Sequence, residues 1–244
     1  MSSEKALNLK WSRLLPGRKS FGALSRLLER LRPNRRVEVI VANGDSIDPG
    51  IDTLKKVWPM VRWLNGPTGR GRQMNLGSEW AKGRWLLFLH ADARPGQGWY
   101  DEIRRADDEG VVGGCYRLRI NSVRWQARFI EIGVRYRVQW FGLAYGDQGL
   151  FIRRDFFRVI GGYRTITVME DLDLVRRMRR HGRLLYSKVG IFVSARRWER
   201  DGWAWRTFSN LRILMLYLVG LSPERLAASY PAWSGPRRSS DGDL

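Results

Sequence analysis

The run Trp85-Leu86-Leu87-Phe88-Leu89, leading into His90-Ala91-Asp92-Ala93-Arg94-Pro95, constrains this chain more than any other stretch. A continuous apolar segment of that length predicts a strand covered on both faces, as in a parallel sheet flanked by helices. In open α/β sheets, ligands bind beyond the carboxyl ends of the strands. Asp92 stands at that end, with His90 two residues before it. An acid there can hold a divalent cation against phosphate oxygens. The same residues also suit a plain turn, with Asp92 bonding locally ahead of Arg94-Pro95-Gly96.

Further along, Glu170-Asp171-Leu172-Asp173 opens a segment that closes on Arg179-Arg180-His181-Gly182. Acid first and base last is the order a helix dipole favours, and Gly182 stands where a C′ residue belongs. Asp171, Leu174, Val175 and Met178 fall at i, i+3, i+4 and i+7, so they share one face. Asp171 therefore starts the apolar stripe and points inward, which a simple acidic first turn does not require. A carboxylate held at the inner edge of a helix start is a candidate general base.

Strand and helix signals alternate through the amino-terminal part. Ser20 to Leu31 predicts a helix with Ser20 as N-cap, a stripe of Leu24, Leu27, Leu28 and Leu31, and Pro33 as its stop. Val37 to Ala42 predicts a strand ending in the turn Asn43-Gly44-Asp45-Ser46. Pro49 to Trp58 reads as a short helix and Val61 to Leu64 as a second strand. Gly69-Arg70-Gly71-Arg72-Gln73-Met74-Asn75 leads into a helix that stops at Gly83. This alternation predicts a parallel sheet with helical crossovers. After Gly110 the pattern changes. A strand is expected over 111–120. A helix should follow from Ser122 to near Trp140, with Trp125, Phe129, Ile132 and Tyr136 on one side. Next come a short strand over 149–153, a helix capped by Asp155, strand material over 184–193 and a helix over 203–219. Residues 231–244, rich in Ser, Gly, Pro and charge, are expected to form a disordered tail on a domain spanning 1–230.

The net charge of +20 is uneven. Such a field attracts polyanions: nucleic acid, anionic lipid or a phosphorylated substrate. No helix-turn-helix, zinc-finger or RNP-type signature accompanies the charge, so nucleic acid is not an expected partner. The twelve Trp favour a membrane surface, because indole partitions to the headgroup zone. The apolar block from Leu211 to Val219 is too short to span a bilayer, and Arg196, Arg197, Arg200, Arg206 and Arg212 lie before or within it. Peripheral binding to an anionic membrane face is the expectation, with an ordinary core helix as its rival. The single cysteine, Cys115, excludes a disulfide framework and fits a reducing cytoplasm.

Taken in order, six segments resemble the family 2 glycosyltransferases of the GT-A fold. Closest in pattern is the subgroup known as radical-SAM/selenodomain-associated transferase 2. The segments are Glu38 to Asp48, Gly69 to Asn75, Leu87 to Asp92, Gly146-Asp147-Gln148-Gly149, Met169 to Asp173, and Ser194 to Trp198. The resemblance implies an α/β fold with a mainly parallel central sheet. It implies an inverting, metal-dependent transfer of sugar from a nucleotide-sugar donor to an acceptor hydroxyl, a lipid-linked acceptor being one option. Asp92 would hold Mg²⁺ or Mn²⁺, with His90 at the first position of that metal motif. Asp171 would be the base, and Glu170 would orient the acceptor. Asn43, Asp45, Arg70, Gly71, Arg72, Asn75, Arg197 and Trp198 would lie along the donor. Asp147, Gln148 and Gly149 would line the acceptor side.

The pattern departs from the family at the nucleoside end. Lys19 and Ser20 stand where Asn and Glu are usual, the strand signal before them is poor, and Asn43 replaces an Asp. A weakened or less selective grip on the base is the expectation. A non-catalytic relative that keeps the fold as a binding protein is the second reading, and a basic nucleic-acid-binding protein the third.

Overall fold

The computed structural model describes residues 5–11, 18–34, 36–44 and 49–229. Its amino-terminal part alternates as the periodicity requires. The order is β1 (Lys5–Trp11), α1 (Arg18–Leu31), β2 (Val37–Asn43), α2 (Pro49–Val57), β3 (Arg62–Asn65), α3 (Arg70–Trp80) and β4 (Trp85–His90). β1 forms despite its poor apolar pattern, because it is clamped in parallel between β2 and β4.

The apolar run of β4 is covered on both faces, as expected. Trp85, Leu87 and Leu89 turn to one side, against Leu24, Leu27 and Leu28 of α1 and Leu54 of α2. Leu86 and Phe88 turn to the other, against Met74 of α3. All five are at most 1% exposed. Each such burial is worth roughly 1.5–3 kcal/mol of transfer free energy, so this strand anchors both layers.

The second half adds β5 (Arg94–Pro95), α4 (Trp99–Asp108), β6 (Gly113–Asn121) and α5 (Trp125–Phe141). A 3-10 turn (Gly146–Gln148), β7 (Leu150–Arg153), α6 (Arg154–Val159), α7 (Glu170–His181) and β8 (Leu184–Ser194) follow. Last come α8 (Arg196–Asp201), α9 (Trp203–Leu218) and α10 (Pro223–Ser229). The strand order is β3-β2-β1-β4-β7-β6-β8-β5. The sheet is therefore mixed but mainly parallel, as expected: four of its seven strand pairings run parallel. β7 enters antiparallel between β4 and β6, and β5 pairs antiparallel with β8.

That exception positions the site. The register Phe88↔Leu150 sets the start of β7 beside the end of β4, so the Gly146–Gln148 turn falls at the carboxyl edge of the sheet. β5 lies on the end of β8 through Pro95↔Ile191, which brings the exit of β8 to the same edge. The start of α1 departs from expectation in one detail: the helix begins at Arg18, so Ser20 lies within its first turn and not at the N-cap. Gly182 follows the end of α7 in an extended conformation, with φ −178°. Crowding requires a glycine there, since a Cβ would meet Val112 Cγ1 at 2.5 Å.

Candidate active site

Five loops gather at this edge. β2 ends at Asn43, buried at 3%, whose carbonyl accepts the Gly66 N–H at 2.9 Å. β3 leads into α3, which opens with exposed Arg70 and Arg72 on either side of buried Gly71. β4 ends at His90, whose carbonyl accepts the Ala93 N–H at 3.0 Å, closing a turn that holds Asp92 half-buried at its tip. The 3-10 turn carries Asp147. β8 exits into α8 with Arg197 in its first turn. Asp45 lies outside the described residues, and so do the side chains of Lys19 and Ser20.

Asp171 closes the set from α7. Its Oδ2 accepts the Gly146 N–H at 2.5 Å and its Oδ1 the Leu172 N–H at 2.8 Å. The inward-facing carboxylate is thus tied to the 3-10 turn, which places Asp147 beside it. Asp147 has one oxygen, Oδ1, shut off from solvent with no donor. Burial pushes its pKa up to about 6; Arg137, Arg197 and Arg70 pull against that, and the charge of Asp171 adds to it. Two carboxylates therefore share one pocket with three guanidinium groups within electrostatic reach. Glu170, buried at 4%, holds its Oε1 3.8 Å from Arg70 Nε.

Other expected site residues turn into the fold. Asn75 donates from Nδ2 to the Tyr163 carbonyl and accepts the Tyr163 N–H at Oδ1, both at 2.8 Å. Both polar ends of its amide are engaged with one main-chain segment. Gly71 faces the same segment, because a Cβ there would meet Arg164 O at 2.9 Å. Gln148, 2% exposed, accepts the Tyr145 N–H at 3.1 Å and donates to Tyr116 O at 3.3 Å. Gly149 has φ 62°, and a Cβ would press on Leu89, Ile191 and Tyr116. These two residues buttress the turn from below, with Asp147 the member left partly exposed beside Asp171. Trp198 is 8% exposed, packed among Leu118, Ile120 and Ala127 and stacked on Trp203 at 6.2 Å. Its neighbour Arg197 is the member that reaches outward.

Sequence reasoning passed over Arg137. Its guanidinium lies 3.8 Å over the Tyr145 ring and its Nη2 donates to Gln148 Oε1 at 3.4 Å, so it braces the turn and faces Asp147.

The donor set of the β4 turn suits a divalent ion held mainly by a ligand. Among the described residues no three His, Cys, Asp or Glu side chains form a metal cage. Asp92 alone offers a hard oxygen, which is what Mg²⁺ or Mn²⁺ needs when phosphates and water complete its shell.

The family model for glycosyl transferase family 2 matches residues 21–165, more than half of the chain. The chain is a member of glycosyl transferase family 2. The match ends before α7, so Asp171 enters the site through the geometry above. No curated protein matches the sequence. Among solved structures, S. aureus TarS 1–349 in complex with UDP-GlcNAc superposes with a TM-score of 0.58 at 12% identity, over 78% of this chain and 58% of that one. The mannosyltransferase PcManGT from Pyrobaculum calidifontis, in complex with GDP-Man and Mn2+, does so with a TM-score of 0.58 at 14% identity, over 79% and 57%. At these identities the likeness is one of fold. This family 2 chain spans less than two thirds of the length of either structure.

Proposed function

We propose that this chain moves a sugar from a nucleoside-diphosphate sugar to an acceptor hydroxyl, with inversion at the anomeric carbon, at the cytoplasmic face of a membrane. The observation that carries the reading is the tie between Asp171 and the Gly146 N–H, which sets a carboxylate at the sheet edge shared with Asp92, Arg70 and Arg72. The donor class is supported by the fold relatives that bind UDP-GlcNAc and GDP-Man.

In this reading Asp171 takes the proton of the acceptor hydroxyl. The freed oxygen bonds to the anomeric carbon from the face opposite the diphosphate, and the carbon–oxygen bond to phosphate breaks with its electron pair on the departing nucleoside diphosphate. Both Asp171 oxygens accept one backbone N–H and keep a further lone pair each for that proton. Asp92 would hold Mg²⁺ or Mn²⁺, which when bound neutralises charge on the departing diphosphate. Arg70, Arg72 and Arg197 add positive charge along the same path, and Glu170 holds Arg70 in place. Docking at an anionic membrane falls to α9, whose exposed Trp205, Phe208, Leu211 and Met215 surround Arg212 in helical order.

Two variants test the chemistry. Asp171→Asn should lower turnover by about 10²–10⁴-fold and leave nucleotide affinity in place. Asp92→Asn should abolish the Mn²⁺ dependence of UDP or GDP binding without lowering the melting temperature. Near-normal turnover in the first variant moves the base to Asp147 or Glu170. Retained metal dependence in the second removes the metal from the β4 turn.

A further inference from the structure

The outer face of α5 is apolar along its whole length. Trp125, Phe129, Ile132, Tyr136 and Trp140 are 72%, 71%, 48%, 50% and 72% exposed. Their spacing of three or four residues sets them in one stripe on an α-helix. The opposite face is packed, through Ala127, Ile130, Val134 and Val138. A helix that is amphipathic in this ordinary sense buries its apolar side; α5 buries one apolar side and exposes another. An exposed apolar stripe of this length marks an interaction surface.

The charges beside the stripe identify what it fits. Arg124, Arg128 and Arg135 are exposed on its flank. The only acid on the helix, Glu131, is 2% exposed and is taken up by Arg119 and Arg128, at 2.9 Å each. The outer face of α5 thus offers cations and indole, phenyl and phenol rings, with no carboxylate. A protein partner with an apolar core and polar rim would meet a mixed rim of both signs, whereas an anionic bilayer asks for this one-signed combination.

We infer that α5 is a second membrane-docking element, lying in the headgroup zone of an anionic bilayer through this stripe. It deepens the membrane part of the reading above and is independent of α9 in its residues. The two helices are braced together. Trp203 at the start of α9 packs in the cluster that holds Ile130 and Val134 of α5, and Leu214 of α9 packs on Leu143, just past the end of α5. The chain between Leu143 and Gly149 carries Asp147, so the acceptor side of the pocket hangs from the end of the docking helix. Neither helix is long and apolar enough to cross a membrane.

The test uses the full chain with vesicles of phosphatidylcholine alone or mixed with phosphatidylserine. Phe129→Ser combined with Trp140→Ser, with α9 untouched, should weaken partitioning onto the mixed vesicles by about tenfold or more. Leu211→Ser with Met215→Ser reads the α9 contribution in parallel. Melting temperature and UDP binding are measured on each variant, and both should hold for the α5 pair. Unchanged vesicle binding by the α5 variant overturns the inference. So does a concentration-dependent dimer in sedimentation velocity that the α5 substitutions abolish while wild-type protein ignores vesicles, since a second copy then covers the stripe. Vesicle binding without any nucleotide binding would leave α5 in the membrane and sink the transferase reading alone.

Discussion

Asp147 keeps one carboxylate oxygen out of reach of solvent and donors, and burial pushes its pKa from 3.8 up to about 6. Its ionisation is therefore harder in the folded chain than in the unfolded one. The corresponding stability is fully present below pH 3.8 and is lost as pH rises through 6, on the order of 2–3 kcal/mol in all. Asp147→Asn removes that loss. The variant should gain melting temperature relative to wild type at pH 7.5, about a third as much at pH 4.5, and little or nothing below pH 3.8; an equal offset at all three would place the strain elsewhere. The direction of Asp171 was legible in sequence, because a helix has a period and an acid on its apolar side breaks it. The division of labour among Asp147, Gln148 and Gly149 was not. Consecutive residues of a 3-10 turn point different ways, and nothing in three polar or small letters says which one the core will take.

Between elements, one chain of contacts runs from α7 to the arginines of α3. Arg177 of α7, 9% exposed, donates to Ile160 O at 2.6 Å and Gly162 O at 2.7 Å, and to Asp173 Oδ2 at 2.8 Å. It fixes the turn that presents Tyr163, whose main chain Asn75 grips, and Gly71 lets α3 close onto the same strand of chain. Arg70 and Arg72 take their place from that closure. Arg177→Met should cost about 3 kcal/mol, since Asp173 loses its nearest partner and two carbonyls lose their donor. Urea unfolding gives the number; a loss under about 1 kcal/mol would show that water or Arg164 replaces the guanidinium. The helices themselves were readable from their periodicity, α1, α3 and α7 to within a few residues. α4, α8 and α10 were not foreseen, and α8 follows a strand with no turn residue to mark the change.

At the scale of the molecule, alternation predicted the parallel half of the sheet, β3-β2-β1-β4, and could not predict the antiparallel entry of β7. Strand direction is set by which edge a connection returns to, and a four-residue strand carries no mark of it. The net charge of +20 acts on the whole of this fold. With 44 Lys and Arg against 24 Asp and Glu, unpaired positive charge repels itself across the surface. Most of the ion pairs have an exposed partner and contribute little each, so the repulsive surplus should dominate the response to salt. The screening length falls from about 30 Å at 0.01 M to about 8 Å at 0.15 M, which removes most long-range repulsion while close pairs persist. Raising NaCl over that range should therefore raise the melting temperature, by roughly 2–4 °C if 1 kcal/mol is recovered. The same salt should loosen the protein from anionic vesicles, because there the charge is attractive. Opposite slopes in the two measurements are the expected signature. A melting temperature that falls with salt would mean that the ion-pair network, and not the surplus charge, sets the electrostatics of the fold.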